Sequence, residues 1–244
     1  MANILNCRYE QALDVAETPE DKQLAHLNRS LTNLKLGRPA EALLDATQAY
    51  DPEAPTVKGL FRSANALYNL KRFEDCEAML IDLLDKFPDS KAAESILLSV
   101  KTRLTEQRTG KYNFKKMYET AKAAKGAPLI DCATYSKPVE VRDSPGRDRG
   151  LFTTKDVKAG DLLLVEKAFE YSFIDETRVM DKCTHMVNFN TKRMTSGASA
   201  NLWPKVIQKL YRDPEALSAF TELWHGKYKP VTTTEADGRP VVDV

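Results

Sequence analysis

The six-residue stretches GRPAEA at residues 37–42 and KRFEDC at residues 71–76 decide the fold of the N-terminal half, because they align 34 residues apart. A third stretch, CRYEQA at residues 7–12, precedes the first by 30 residues. Between these stretches, leucines recur from Leu24 to Leu34 at the three- and four-residue spacing of a helix face. The first hundred residues therefore predict a set of helices that repeats as a unit.

A period of 34 residues is typical of the tetratricopeptide (TPR) helical hairpin, in which each unit buries its apolar face on the next. Small residues recur where paired helices would approach closely, at Ser30, Ala42, Ala64 and Cys76. The apolar series from Ala93 to Leu104 predicts an amphipathic helix that caps the array. Residues 7–12 match the second helix of a hairpin, whose first helix would lie before Met1.

TPR arrays commonly hold extended peptides, and one subclass captures a C-terminal carboxylate. By repeat position, the residues for such a clamp are Asn28 on one first helix and Lys58 and Arg62 on the next. Lys58 and Arg62 are spaced i and i+4, so they share a helix face, and both suit a carboxylate. The alternative is a solvated polar face, because the chain lacks the Lys and Asn that the subclass takes from the preceding first helix.

Composition favours an intracellular globular protein, cytoplasmic or nuclear. Of the 244 residues, 42% are hydrophobic and 29% are charged, which suffices for an ordinary core. No apolar run approaches the roughly 18 residues of a membrane span, and the N-terminus does not read as a signal peptide. The four cysteines lie far apart and Cys183-Thr184-His185 has no second half, so we expect neither a metal site nor a disulfide framework.

The net charge is +1, but basic and acidic residues are unevenly distributed along the chain. Residues 1–100 carry 11 basic and 16 acidic side chains, residues 101–160 carry 14 and 7, and residues 161–244 carry 11 and 12. These differences favour at least two units with different surfaces. The basic middle would suit nucleic acid or an acidic partner, but we interpret it as solvated linker charge and rank nucleic acid as an unlikely partner.

From about residue 138 the pattern changes to short strands. The sequence VEVRDSPGRDRGLFTT occupies residues 139–154 and KDVKAGDLLLVE occupies residues 155–166. It predicts a short strand, a glycine-flanked turn, a second short strand, a turn closed by Gly160 and a buried apolar strand over 161–166. By themselves these residues establish a small β unit and no more.

This stretch resembles the opening of the SET domain, the fold of most protein-lysine methyltransferases, whose glycine-rich turn cradles S-adenosylmethionine. Glycine permits a close backbone approach, and arginine suits the carboxylate of that cofactor. Asp148 stands where the family usually has glycine. The cofactor-binding positions that the resemblance implies are Arg147, Asp148, Arg149, Gly150 and Leu151.

A TPR array that leads into a SET opening resembles the fungal-type TPR–SET proteins, relatives of the SET-and-MYND methyltransferases. The resemblance implies an α+β fold, with an N-terminal all-α TPR helical-hairpin solenoid followed by an incomplete β-rich SET domain with a helical insertion. The expected parts are a TPR array with capping helix at 1–107, a basic helical connector at 108–137, the N-terminal β segment of the SET domain at 138–175, and a helical insertion with a polar tail at 176–244.

The catalytic half of the SET family, with its Asn-His-Ser-Cys motif and catalytic tyrosine, has no match in the sequence, so we assign no catalytic residue. We expect the N-terminal portion of a methyltransferase whose longer form uses S-adenosylmethionine and modifies a protein lysine, histones included. The chain itself should bind the cofactor weakly or not at all. The alternative is a TPR module that binds a peptide or protein in its groove and carries a vestigial SET segment.

Overall fold

The computed structural model describes the chain over residues 2–124, 129–147, 149–174, 184–189 and 192–223. The fold is mostly helical with a few short strands, as expected for the α+β class. Among the described residues, no helix combines the length and apolar character needed to cross a bilayer. The chain divides into two compact units: unit 1 comprises Met1–Tyr112, Asp131–Val139 and Thr153–Glu166, and unit 2 comprises Asn113–Ile130, Glu140–Phe152 and Lys167–Val244.

Unit 1 is built on helices that contact one another in chain order. Thr18 and Thr56 start two of them, because each threonine hydroxyl accepts the backbone N–H three residues later at 3.1 Å. The helices are α1 (Ala2–Val15), α2 (Pro19–Lys35), α3 (Pro39–Gln48), α4 (Val57–Asn69), α5 (Phe73–Lys86) and α6 (Lys91–Thr109).

The local geometry of this helical array repeats every 34 residues. Gly37 and Lys71 both adopt a left-handed backbone, with φ of 70° and 62°, in the turns that follow α2 and α4. The next residue in each turn, Arg38 or Arg72, donates its N–H to the carbonyl five residues earlier, at 2.9 and 3.0 Å. The pairs α2–α3 and α4–α5 therefore repeat one helix–turn–helix unit in geometry as well as in sequence.

Small side chains set how closely the two helices of each pair approach. The Ser30 hydroxyl donates to the carbonyl of Ala42 at 2.7 Å, and the Cys76 thiol donates to the carbonyl of Ala64 at 3.1 Å. Both contacts join the same two positions of the repeat. In the first pair the donor lies on the first helix, and in the second pair it lies on the second helix. Around the second contact lies the apolar core, formed by Leu60, Leu67, Phe73, Leu80, Leu83, Ala93, Val100 and Leu104.

The segment Asp131–Val139 is fastened to the C-terminal end of α6. Glu106, which is 5% exposed, accepts the backbone N–H of Ala133 at 2.9 Å and forms an ion pair with Arg103 at 2.8 Å. The Tyr112 hydroxyl donates to the carbonyl of Ala133 at 2.8 Å. This part of the chain therefore belongs to the packing of the helices and is more than a connector.

The buried strand predicted over residues 161–166 does not form. Tyr135 and Val165 exchange two backbone hydrogen bonds of 2.9 Å as an isolated bridge, and the residues on either side of Val165 are irregular. Leu163 and Leu164 are 37% and 39% exposed. The prediction is wrong at this position, because a strand requires a neighbour along its length and Tyr135 is the residue that bridges to this stretch in the described chain.

The remaining elements are α7 (Phe114–Ala123), β1 (Val139–Asp143), β2 (Arg149–Thr153), β3 (His185–Asn188), β4 (Arg193–Ser196), α8 (Ala198–Arg212) and α9 (Pro214–Thr221). Strands β1 and β2 form one two-stranded sheet, and β3 and β4 form another. In the second sheet the strands are antiparallel, with His185 opposite Ser196 and Asn188 opposite Arg193. A hairpin thus precedes the helices in the segment that was expected to be a helical insertion.

Candidate functional site

A tight turn joins β1 to β2. Of the residues that were predicted to bind the cofactor, Arg147 closes this turn, and Arg149, Gly150 and Leu151 lie on β2. Arg147 donates its backbone N–H to the carbonyl of Ser144 at 2.9 Å, with Pro145 and Gly146 in the centre of the turn. Gly146 has φ of 73°, as the third position of a type II turn requires. Apart from Gly146 itself and its two chain neighbours, no described residue has an atom within 4 Å of the place where a Cβ would stand at Gly146. This side of the turn is therefore open to a ligand.

Gly150 serves a different purpose, because an aromatic ring approaches it. A Cβ at Gly150 would lie 2.9 Å from the ring of Phe152. The same ring carries the guanidinium of Arg142 at 4.9 Å from its centroid, which adds a cation–π attraction. A larger residue at position 150 would displace the ring, so this glycine maintains the packing of the hairpin.

Arg149 binds a carboxylate in this structure. Its Nη1 lies 3.4 Å from Oε2 of Glu222, and its Nη2 donates to the backbone carbonyl of Glu222 at 3.3 Å. Both side chains are about half exposed, so the pair contributes little to stability. Arg147 and Leu151 are exposed beside it, and Asp148 lies outside the described residues.

The predicted peptide-binding residues lie on α2 and α4, two helices that contact each other. The guanidinium of Arg62 donates to the backbone carbonyl of Leu27, the residue before Asn28. Burial lowers the pKa of Arg62, and the nearby Tyr9 acts in the opposite sense. Lys58 is exposed one turn earlier on α4. The structure thus joins Arg62 to the backbone of the residue that precedes Asn28, a bridging contact between helices that the sequence did not predict.

A buried carboxylate on α3 was missed by the sequence analysis. Asp45 is 1% exposed and accepts hydrogen bonds from three residues of α2. Arg29 donates from Nε at 3.0 Å to both oxygens and from Nη2 at 2.6 Å, and Asn33 donates at 3.0 Å. Nδ1 of His26 lies 3.1 Å from the carboxylate. His26, Arg29 and Asn33 are spaced so that they share one face of α2. This spacing indicates that the three side chains contact a common group, but it does not identify that group.

A second polar cluster connects α4, α6 and Asp131. The Tyr68 hydroxyl donates to the Asp131 carboxylate, and Nη1 of Arg103 lies 3.2 Å from the same carboxylate. Burial and this hydrogen bond raise the pKa of Tyr68. Burial alone would raise the pKa of Asp131, but the hydrogen bond from Tyr68 and the charge of Arg103 outweigh it, so that pKa is lowered. The two shifts arise from contacts within the cluster, and neither involves a residue of the β1–β2 turn.

A cavity of about 470 Å³ opens within unit 2 beside the start of α8. Its wall includes His185, Asn201 and Lys205, and the Ser172 hydroxyl in the wall is buried without a hydrogen-bond partner in the described chain. These groups could hold a small polar molecule. No group of three His, Cys, Asp or Glu side chains suited to a metal ion occurs in the described residues, and Cys183 lies outside them.

Comparison with known proteins relates most of the chain to a methyltransferase. The chain is 45% identical over 235 residues to a protein named Methyltransferase from Gibberella zeae, which covers 96% of this chain and 32% of that protein. It is 28% identical over 163 residues to the human protein-lysine N-methyltransferase SMYD4, covering 62% of this chain and 20% of that protein. The chain therefore spans about a third and a fifth of the lengths of these two relatives. No family model matches it.

A third similarity concerns a protein with another named activity. The chain is 27% identical over 137 residues to the peptidyl-prolyl cis-trans isomerase FKBP4 of Bos taurus, covering 54% of this chain and 30% of that protein. Similarity over about half of the chain thus accompanies two different activities. The similarity to the Gibberella zeae protein extends over nearly the whole chain, and together with SMYD4 it supports a methyltransferase family.

Proposed function

We propose that the chain is the N-terminal portion of a protein-lysine methyltransferase that uses S-adenosylmethionine, with a TPR array followed by the opening of a SET domain. The 45% identity to the Gibberella zeae methyltransferase over 96% of the chain carries the proposal. The name of the human relative supports lysine as the methyl acceptor. The substrate of the longer form is an intracellular protein, cytoplasmic or nuclear, with histones among the candidates.

Two structural features support this architecture. The turns at Gly37 and Lys71 repeat their geometry after 34 residues, the period of the TPR hairpin. The turn with Gly146 at its centre joins two short strands, as the SET resemblance implies. Methyl transfer further requires a channel that aligns the lysine amine with the methyl donor, and we assign that part of the reaction to the longer protein.

The β1–β2 turn fits the carboxylate of the cofactor. Arg149 already binds the carboxylate of Glu222, so its guanidinium is placed to take another carboxylate in exchange. The open side of the turn at Gly146 leaves room for the approach, and Arg147 adds positive charge beside it. S-adenosylmethionine would supply the methyl group when bound, and Arg149 would hold its carboxylate end.

Isothermal titration of S-adenosylmethionine tests this proposal in two proteins, the 244-residue chain and the full-length Gibberella zeae relative. The relative should bind, and the chain should bind weakly or not at all. Alanine at the position of the relative aligned with Arg149 should weaken binding about tenfold, the loss of one charge-assisted hydrogen bond. Alanine at the position aligned with the exposed Lys155 is the control. Failure of the relative to bind, or wild-type affinity in the Arg149 variant, would refute the proposal.

A second function is favoured by the arrangement of α2 and α4. Lys58 is exposed on α4, and Arg62 reaches the backbone beside Asn28 on α2. We propose that these three residues bind the C-terminal carboxylate of a peptide or protein partner. In fluorescence anisotropy with such a peptide, Lys58→Ala should weaken binding by roughly 1–3 kcal/mol, whereas Lys101→Ala on α6 should not. Equal binding of the amidated peptide, or wild-type affinity in both Lys58→Ala and Arg62→Ala, would refute this role.

A further inference from the structure

Unit 2 buries little of its apolar surface. Among its described residues, the buried hydrophobic side chains are Ala200 and Leu210, which are 1% and 8% exposed. Its large exposed side chains include Leu151, Phe152, Phe169, Tyr171, Phe173, Val187, Phe189, Met194, Trp203, Tyr211, Phe220 and Leu223. Burial of apolar area is the main favourable term in folding, and exposed apolar patches of this kind mark interaction surfaces.

The β3–β4 hairpin shows the imbalance most clearly, because its burial pattern is inverted. On one face, Met186, Asn188 and Thr195 are half-buried, so two of the three side chains that pack inward are polar. An antiparallel sheet with one covered face normally places its apolar residues on that face and polar residues outside. Here the covered face is the more polar one.

The outer face of the hairpin carries the exposed polar pair of His185 and Ser196 at one end, and towards the other end it is apolar. Val187 and Met194 stand directly opposite each other and are 47% and 66% exposed. Phe189 continues the alternation just beyond β3 and is 86% exposed. A directly opposed apolar pair with an aromatic side chain at its end is the arrangement expected for a sheet face that another element covers.

We propose that the outer face of β3–β4, formed by Val187, Phe189 and Met194, is the docking surface for polypeptide of the longer protein that lies outside residues 1–244. The length of the relative supports this occupant, since 96% of this chain corresponds to only 32% of the Gibberella zeae protein. The larger part of such a protein is available to supply an apolar partner. The inference rests on the proposed function only in requiring that longer protein, and it concerns neither the cofactor nor methyl transfer.

Cysteine footprinting tests whether the face is covered. Met194→Cys in the 244-residue chain, and cysteine at the aligned position of the full-length Gibberella zeae protein, are labelled with a maleimide and read by peptide mass spectrometry. The 244-residue chain should label rapidly. The full-length protein should label at least about tenfold more slowly, as a protected site does. Lys91→Cys, an exposed position at the start of α6, is the control and should label equally in both proteins.

A stability measurement provides the second readout. Phe189→Ser should leave the melting temperature of the 244-residue chain unchanged, because this side chain is already exposed in it. The aligned substitution should lower the melting temperature of the full-length relative, because it places a polar residue in a buried contact.

Three other outcomes would each overturn the proposal. Rapid labelling in both proteins would mean that the face stays open in the longer one. Protection of Met194→Cys in the 244-residue chain that rises with protein concentration would assign the face to a second copy of the chain. Protection independent of concentration would assign it to the chain itself. Labelling requires no methyl donor, so the two proposals can fail separately. If the face is protected but the relative does not bind S-adenosylmethionine, the proposed function is refuted and the docking proposal stands.

Discussion

Replacing Asp45 with alanine removes the carboxylate that connects α2 to α3, and the structure indicates how much stability this should cost. Asp45 is 1% exposed and receives hydrogen bonds from Arg29 and Asn33, with His26 at 3.1 Å. Without it, the Arg29 guanidinium loses its charged partner, and the amide of Asn33, which is 3% exposed, loses its acceptor.

The expected cost follows from the burial of each group. Removing one member of a buried ion pair costs about 3–5 kcal/mol. The Arg29 side chain is 21% exposed, so its guanidinium can regain part of its hydration, which places the cost near the lower end. We therefore expect Asp45→Ala to lower the free energy of unfolding by about 3 kcal/mol, a large part of the roughly 5–15 kcal/mol typical of a domain.

Urea unfolding followed by circular dichroism at the helical band is the suitable assay, since it reports directly on the helices of unit 1, which contains no tryptophan in its sequence. Asp75→Ala is the matched control. Asp75 also pairs with an arginine, Arg72 at 2.7 Å, but both side chains are about half exposed. Its removal should cost less than about 1 kcal/mol.

Arg29→Ala, alone and combined with Asp45→Ala, completes the test. Once Arg29 is absent, the loss of Asp45 no longer leaves an unpaired charge, so the double variant should be more stable than the sum of the single effects predicts. A cost below about 1 kcal/mol for Asp45→Ala, or strictly additive effects, would show that the buried ion pair does not hold the two helices together.

Three further predictions concern unit 1. Because burial and the hydrogen bond to Asp131 raise the pKa of Tyr68 above its usual 10.0, the unfolded chain should release this proton first. The wild type should then lose stability to urea as pH rises above about 10, and Tyr68→Phe should lose less. A thiol reagent should label the exposed Cys7 at once and Cys76 only after unfolding, since burial raises the pKa of Cys76 to about 12. Thermal melts should show Gly37→Ala destabilised by about 1 kcal/mol and Lys71→Gly stabilised by up to about 1 kcal/mol, because both positions have positive φ.

Each of these expectations has a contrary result. An alkaline loss of stability in Tyr68→Phe as steep as in the wild type would remove Tyr68 as its source. Labelling of Cys76 in the folded protein at the rate of Cys7 would contradict the burial of the thiol. A destabilised Lys71→Gly would mean that the contacts of the lysine side chain outweigh the strain of its backbone.

The helical array could be predicted from the sequence because its organising distances are short. The 34-residue period defines two helix–turn–helix units, and the glycine at Gly37 marks a turn that Lys71 repeats. The contact of Asp45 with Arg29 could not be predicted, because it depends on the rotation of α3 against α2. The polar residues on one face of α2 indicate that they contact a common group. Which residue of α3 supplies that group depends on how the two helices are aligned.

In the candidate cofactor turn, too, local features could be predicted from the sequence and long-range contacts could not. Pro145 and Gly146 specify the turn locally, so its place between two strands could be predicted. The ion pair of Arg149 with Glu222 joins residues 73 positions apart, and nothing in the local sequence indicates it. Gly150 shows a further limit: the sequence analysis associated this glycine with a close approach to the cofactor, and the group that approaches it in the structure is the ring of Phe152.

The strands differ from the helices because an apolar pattern specifies that a residue should be buried, but not what should cover it. A helix satisfies its own backbone hydrogen bonds, and in the array its neighbour follows a few residues later along the chain. A strand depends on a neighbouring strand for its hydrogen bonds and on another layer for its side chains, and both commonly come from distant sequence. Leu163 and Leu164 lie in an apolar run with one bridged residue, and Val187 and Met194 form an apolar pair without cover in the described chain. The same pattern rules therefore succeed in the helical array, and in the strands they indicate apolar surfaces without specifying what covers them.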